Sequence, residues 1–429
     1  MRRVGIVLLL AGCSSTGAPP PAPVTPTPVV LAPLPAMFDL SLVPDRPQLV
    51  YRTTGEALSP DTNDANTYYA AGVASLAADP AGASAAFYWA SRLNPAWADP
   101  YFARWYVLTR EARSRRWQKT LRERLGPALP DTVQRQVDSL VVLASLHDPF
   151  FDERVQMTEF ATGVRTRVEV ARERTKQENI VREEEGRLPL LMPRRTPVSH
   201  SWYLAYAERH FDSASADLAT LIGKHPDALP LYVYRSKAQY YLAQYDSAAA
   251  TLRSAITRVD RRDTNEVLPV YFAVDMFDYA VGMAEERAKH DTAAQAAFQA
   301  TVTANLGFYM AHLHLASEAL ARRDSAAALT EARVAAEIRP RDPVVQLFLG
   351  YTLLMAHRAS EAVEHLRAAS IADPYFALPY YYIGQANELA HDTSASLAAY
   401  RDFLAHASRA DNLRKSAEEA LAVLGGAAK

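Results

Sequence analysis

The chain has a single cysteine, Cys13, and it is the residue whose chemistry is easiest to narrow down. A thiol can act as a nucleophile, bind a metal, form a disulfide or carry a covalent modification. One cysteine in 429 residues rules out an internal disulfide and leaves no second thiolate for a metal site. Cys13 follows Arg2, Arg3 and the apolar run from Val4 to Leu10, a layout typical of a secretory signal. A membrane-spanning helix needs about 20 apolar residues, so a cleavable signal fits better than a membrane anchor.

The residues Leu10-Ala11-Gly12-Cys13 resemble the lipobox of bacterial lipoproteins. The resemblance implies that residues 1–12 are a signal peptide and that Cys13 is acylated on sulfur and nitrogen as the first residue of the mature chain. Several acyl chains make a stable anchor. In that family the residue after the cysteine influences sorting, and Ser14 implies the periplasmic face of the outer membrane. The alternative is a chance match within an ordinary export signal, which leaves Cys13 as a free thiol.

The segment after the cysteine predicts a spacer. Residues 16–36 carry no charge and include eight prolines among 21 residues. Proline fixes φ and removes a backbone donor, so this segment cannot join a sheet or a helix interior. At about 3.1 Å per residue, a tether over 13–45 reaches at most roughly 100 Å.

Composition excludes several classes of protein. Only 16 glycines occur in the chain, which argues against glycine-loop nucleotide folds and all-β architectures. The formal charge of −2 gives no nucleic-acid signature. The chain lacks the phosphate-loop, nucleophile-elbow and zinc-helix motifs. His312 with His314, and Glu361 with His365, lack the further ligands of a metal site. We therefore expect no cofactor, no metal and no enzyme activity, with a hydrolase in 110–197 as a remote alternative.

A short tag recurs along the second half of the chain, in which an aspartate precedes Ser or Thr and then Ala, with one extra Ser before the Ala in the last copy. The sequence numbers of successive aspartates differ by 34, 45, 33 and 68. Asp before such residues is typical of a helix N-cap, so each copy predicts the start of a second helix in a hairpin. The gap of 45 exceeds 34 by 11 and predicts an insertion over 259–269. The aspartates are Asp212, Asp246, Asp291, Asp324 and Asp392.

This period of 34, with small residues inside helices and prolines at their ends, resembles the tetratricopeptide repeat. The resemblance implies an all-α superhelical solenoid of antiparallel helix pairs. The unit from Pro343 to Pro374 fits the family's pattern best, at Leu349, Gly350, Leu353, Ala362, Leu366, Ala369 and Pro374.

The repeats suggest a division of the body. We expect about six repeats over 198–408, a capping helix and tail over 409–429, and a diverged helical region of the same kind over 46–187. The hexapeptide ADPYFA at 98–103 returns at 372–377, a separation of 274 that is close to eight periods. Three prolines make 188–197 the expected hinge.

The resemblance implies that partners dock on the inner face formed by the first helix of each pair. A mixed aromatic and aliphatic stripe there would suit an extended peptide or an amphipathic helix. The alternative is that these side chains pack against neighbouring helices. The stripe comprises Tyr240, Leu313, Leu347, Tyr351, Leu354, Tyr381, Gln385 and Glu388.

A second stretch is rich in basic residues. Together with Trp105 and Trp117, these basic residues predict contact with anionic lipid headgroups or an acidic envelope polymer. The alternative is an ordinary solvated helix face. The basic residues are Arg104, Arg110, Arg113, Arg115, Arg116, Lys119, Arg122 and Arg124.

Together these features predict an envelope scaffold, anchored by lipid, whose partners are envelope proteins or peptides in assembly or secretion. The alternative function is a lipoprotein that captures a ligand or glycan for an outer-membrane importer.

Overall fold

The computed structural model of the chain describes residues 44–47, 61–76, 79–118, 131–151, 205–206, 209–259 and 274–427. Within these ranges every regular element is an α-helix. Cys13, most of the tether, the 188–197 hinge and most of the 259–269 insertion lie outside them. The helices are α1 Ala65–Ser75, α2 Pro80–Leu93, α3 Ala98–Gln118, α4 Asp131–His147, α5 Phe211–Lys224, α6 Leu229–Tyr241, α7 Tyr245–Val259, α8 Val274–Ala288, α9 Asp291–Ala304, α10 Tyr309–Ala321, α11 Ser325–Ile338, α12 Pro343–Met355, α13 Ala359–Ala372, α14 Leu378–Leu389, α15 Thr393–His406 and α16 Arg414–Ala427.

The chain forms two compact units. Unit 1 combines Met1–Leu143 with Gly307–Lys429, and unit 2 is Ala144–Leu306. No helix in the described ranges combines the length and apolar character that crossing a bilayer requires.

Turns with one shared geometry set the helical period. Six non-glycine residues have left-handed φ values of 57–64°. In each turn the next residue's N–H donates to the carbonyl five positions earlier, at 2.8–2.9 Å, which satisfies the end of the first helix. The sequence numbers of the turn residues differ by 34, 46, 34, 34 and 34, so the prediction of an all-α array of helix pairs is confirmed. The long interval exceeds 34 by 12, one more than the expected 11. The residues are Arg209, Ala243, Lys289, Arg323, His357 and His391.

Within each pair, a small residue of the first helix lets the second helix approach. A Cβ added at Gly282, Gly350 or Gly384 would lie 2.5–2.7 Å from a side chain of the second helix, which is Phe298, Leu366 or Tyr400 respectively. We call this place in the first helix the small position. It is filled, in chain order, by Ser236, Gly282, Ala316, Gly350 and Gly384.

The N-terminal region contains a pair of the same kind. In α1 a Cβ at Gly72 would lie 2.6 Å from the ring of Phe87 in α2, so the diverged repeat expected there has the packing of the later ones. Tyr101 also donates its hydroxyl to the carbonyl of Pro95 at 2.8 Å. The equivalent link joins Tyr380 to Pro374 at 3.2 Å.

This link corrects the interpretation of the repeated hexapeptide. The first ADPYFA opens helix α3, whereas the second forms the turn between α13 and α14. The equivalent prolines are Pro95 and Pro374, whose sequence numbers differ by 279, so the echo at 274 does not mark eight periods. The same hexapeptide therefore adopts two different conformations.

The aspartate tags are only partly helix caps. Asp324 and Asp392 are N-caps whose carboxylates accept from Ala327 and Ala395 N–H at 3.0 Å. The N-cap prediction is wrong for Asp212, Asp246 and Asp291, which lie inside the first turn of their helices. The turn determines where the second helix begins. The position of the tag aspartate relative to the turn residue varies by up to two residues between repeats.

Candidate peptide-binding surfaces

Each residue predicted to bind a partner lies three residues before, one residue after or four residues after the small position of its helix. We call the surface formed by these places the first-helix face. Its predicted members differ strongly in exposure. Four are buried, three are half-buried and Glu388 is exposed.

The four buried members contribute to packing between helices. Tyr381 has its ring 5.7 Å from that of Tyr400 and 5.3 Å from that of Phe403. It also shares a hydrogen bond with Ser416 of α16, the helix that follows the last pair. These residues are therefore not open to a partner, and the packing alternative applies to Leu313, Leu347, Leu354 and Tyr381.

Three members of the face in unit 1 stay accessible to solvent. Tyr351 is half-buried, with its ring 5.1 Å from that of Tyr382. Gln385 is also half-buried and donates to the hydroxyl of Tyr381 at 3.3 Å. Glu388 is exposed and accepts from the Tyr400 hydroxyl. An aromatic ring, an amide and a carboxylate therefore lie along neighbouring first helices, α12 and α14.

The fourth accessible member, Tyr240 in unit 2, already contacts a short non-helical segment of the chain, the turn over residues 148–151. The segment follows α4, and its Phe150 is 1% exposed. The rings of Phe150 and Tyr240 stack with centroids 3.8 Å apart and planes within 4°. Burial raises the pKa of Tyr240, so its hydroxyl remains protonated at neutral pH. Tyr240 therefore stacks on a ring of the chain itself.

Backbone carbonyls of this segment and of the last turn of α4 accept further hydrogen bonds. Lys237 donates its ammonium to the Phe151 carbonyl at 2.5 Å, and Tyr241 donates its hydroxyl to the Phe150 carbonyl at 3.1 Å. Tyr279 donates to the Leu146 carbonyl at 2.9 Å. Donors aimed at backbone carbonyls hold a segment without regard to its side chains.

Sequence reasoning missed these three donors although a signal for two of them was present. Lys237 lies one place after its small position, as Tyr351 and Gln385 do. Tyr279 lies three places before its small position, the place of Leu313, Leu347 and Tyr381. Applying the same three positions to the earlier first helices identifies both Lys237 and Tyr279. Tyr241 lies one residue beyond the last of these positions.

A cluster of possible metal ligands lies in unit 2. One ligand atom each from Asp246, Glu285 and His290 lies within 4.8 Å of the others. Glu285 is 4% exposed, and its carboxylate already contacts Arg253 at 2.6 Å and His290 Nδ1 at 2.8 Å. The cluster therefore acts as an ion-pair network that joins α7 to the turn after α8.

His312, His365 and Glu361, which belong to the two residue pairs considered as metal ligands from the sequence, have other partners. His312 Nδ1 lies 2.6 Å from Glu331, and His365 Nδ1 lies 2.8 Å from the Gln346 amide oxygen. Each of these contacts joins the first and second helices of one pair, so it serves packing. Glu361 pairs with Arg358 at 2.5 Å at the start of α13.

The basic stretch is described only in part. Arg104 is buried, and its guanidinium carbon lies 4.6 Å from the centre of the Tyr88 ring. Burial lowers its pKa to about 10, so it stays charged at neutral pH. Arg104 thus belongs to the packing of α2 on α3, not to a lipid-facing surface. The side chains of Arg110, Arg113, Arg115, Arg116, Lys119, Arg122 and Arg124 lie outside the described residues.

Comparison with known proteins adds fold resemblance only. No protein-family model and no curated protein matches this chain. YrrB, a TPR protein with an unusual peptide-binding site, is 14% identical, covering 46% of this chain and 94% of its own at a TM-score of 0.37. A tetratricopeptide repeat protein from Parabacteroides merdae is 11% identical, with coverages of 64% and 99% and a TM-score of 0.36. The APC/C hetero-tetramer Cut9-Hcn1 is 10% identical, with coverages of 84% and 76% and a TM-score of 0.39. Nothing about binding follows from similarities at this level.

Proposed function

We propose that this protein is a scaffold of helical repeats that binds short non-helical segments of partner proteins on the first-helix face of unit 1. The observation that carries the proposal is the segment already held by unit 2. There, residues one and four places after the small position, Lys237 and Tyr240, contact a backbone carbonyl and an aromatic ring. The same places in α12 and α14 hold Tyr351, Gln385 and Glu388, which remain accessible. Their side chains offer ring stacking and hydrogen bonding to a segment of the same kind.

The proposal includes the cellular location of the protein. Cys13 in its lipobox-like context supports attachment to the cell envelope, on the periplasmic face of the outer membrane, and the proline-rich tether supports a body held away from the lipid. The partners would then be envelope proteins of an assembly or secretion system.

Photo-crosslinking in living cells tests the docking surface. A photoreactive amino acid at position 351 or 385 should form adducts with a protein partner. The same group at position 371 is the matched control, because Ile371 is 73% exposed but lies on the second helix α13. Adducts at 351 and 385 that are missing at 371 support the scaffold. Equal yields at all three positions, or only glycan adducts, would contradict it.

The anchor has a separate test. Cys13→Ser should abolish fatty-acid labelling and release the chain from the membrane fraction. A variant that stays labelled and membrane-bound would overturn lipidation at Cys13 without affecting the docking proposal.

A further inference from the structure

Three aromatic rings in unit 1 surround one arginine side chain. The guanidinium carbon of Arg46 lies 5.5 Å from the ring centre of Tyr68, 5.1 Å from that of Trp89 and 5.6 Å from that of Tyr375. Tyr68 and Trp89 belong to the pair α1–α2, and Tyr375 lies in the turn before α14. Each ring presents its negative face to a cation at a distance where cation–π attraction is effective. We call these three residues the aromatic cage.

Hydrogen bonds at the cage match the geometry of a guanidinium. Arg46 donates through Nε to the Tyr68 hydroxyl at 2.7 Å and through Nη2 to the Thr62 carbonyl. The planar fork of arginine reaches both acceptors at once, whereas the ammonium of lysine is a point charge with no fixed fork. Trp89 adds a backbone contact by donating its indole N–H to the Pro44 carbonyl at 3.2 Å. The intervening Asp45 is exposed.

The cage is held together by contacts that do not involve Arg46. The rings of Trp89 and Tyr375 pack edge to face with centroids 4.7 Å apart. Beside them Arg92 forms an ion pair with Asp373 at 2.9 Å, and the side chain of Asp373 is 4% exposed. This pair joins α2 to the turn that carries Tyr375. The cage should therefore persist when the side chain of Arg46 is removed.

We propose that the aromatic cage is a binding site for an arginine side chain presented by an extended segment, with Arg46 as its resident occupant and an arginine-bearing segment of a partner protein as its exchange ligand. The resident ligand is small, since it comprises the Arg46 side chain and the Pro44 carbonyl. It occupies the cage largely because it is tethered in the same chain, which gives it a high effective concentration. A partner segment that adds contacts beside the cage can therefore displace it. This site uses residues distinct from the first-helix face, so it goes beyond the proposed function.

A peptide titration tests the site. The probe is Val-Pro-Asp-Arg-Pro-Gln, the sequence of residues 43–48, added to the full chain in detergent with fluorotryptophan at its tryptophans. The readout is the fluorine NMR signal of position 89, assigned by its loss in Trp89→Phe. In Arg46→Ala the peptide should shift this signal saturably. In the unaltered chain, Arg46 competes, and the half-saturating peptide concentration should be at least about tenfold higher.

Two control peptides define the chemistry. Replacing the peptide arginine by citrulline keeps its shape but removes the charge, and should weaken binding at least about tenfold. Replacement by lysine should weaken it less. No shift of the position 89 signal in a folded Arg46→Ala chain, or equal binding of the citrulline peptide, would overturn the proposal. If Arg46→Ala does not fold, Arg46→Lys should bind the arginine peptide at lower concentrations than the unaltered chain, and failure to do so is equally decisive. Crosslinking at position 351 is independent of either result.

Discussion

Unit 1 and unit 2 each hold a non-helical segment of the chain itself, and they hold it by different chemistry. In unit 2, Phe150 is buried against Tyr240 and is part of the hydrophobic core of the unit. In unit 1, Arg46 is half-buried, and its contacts are cation–π interactions and hydrogen bonds in the aromatic cage. Apolar burial makes a segment part of the core, because its removal leaves a cavity. A half-buried cation loses less when it leaves, so its place can be taken by another ligand.

The largest expected effect tests this contrast directly. Phe150→Ala removes a fully buried ring and should destabilise unit 2 by about 3–5 kcal/mol. Arg46→Ala should cost unit 1 only about 1–2 kcal/mol, because the side chain is partly solvated. Hydrogen exchange of amides in α6 and α7, and in α1 and α2, reports the two units separately. Equal losses would mean that both segments are structural, and the contrast would fail.

The second prediction concerns what the two units have in common. Gly282 in unit 2 and Gly350 in unit 1 both pack at the small position, where an added Cβ lies 2.5 and 2.6 Å from its neighbour. Changing either glycine to leucine should cost about 3 kcal/mol through overpacking. Gly223→Leu is the control, since nothing lies within 4 Å of its Cβ, and its better helix propensity should leave the helix unchanged or stabilised by up to about 1 kcal/mol. Thermal unfolding followed by circular dichroism measures all three. A large difference between Gly282→Leu and Gly350→Leu would show that the units do not share one packing frame.

The third prediction is a pH dependence in unit 1. Burial raises the pKa of Asp373 to about 6, although the Arg92 guanidinium lowers it. Because this pKa lies above the ordinary value of 3.8, the folded chain binds the proton more tightly than the unfolded chain does. The protonated carboxyl therefore contributes stability below about pH 4, and that contribution is lost as the pH rises through about 6. We expect a loss of about 2–3 kcal/mol over this range, relative to Asp373→Asn.

The measurement is denaturant unfolding of both chains at several pH values, read through exchange of the α13 and α14 amides. Taking the difference between the two chains removes the titration of other carboxylates. A difference that stays constant or grows with pH would contradict the assignment to Asp373.

The period and the face were predictable from sequence because both follow from helix geometry. A fixed turn and constant helix lengths produce the period of 34, and residues around the small position share one side of a helix. The occupants of the faces were not predictable. Phe150 meets Tyr240, and Arg46 meets Tyr375, from distant parts of the chain, with no local pattern that pairs them. Whether each tag aspartate is an N-cap or lies in the first turn could not be predicted either, because Asp is favourable at both places.

The two possible positions of the tag aspartate allow a last comparison between the units, with the smallest expected effect. Asp324 in unit 1 accepts from Ala327 N–H, so Asp324→Ala should cost about 1 kcal/mol through loss of the cap. Asp212 in unit 2 carries the same Asp-Ser-Ala tag but lies within the first turn of α5 with no capping role. Asp212→Ala should therefore cost only about 0.3 kcal/mol, through the helix dipole alone. Exchange of the first amides of α11 and α5 measures the two effects. Equal costs would mean that the tag works by charge in both units, and that the turn residues alone determine where each second helix begins.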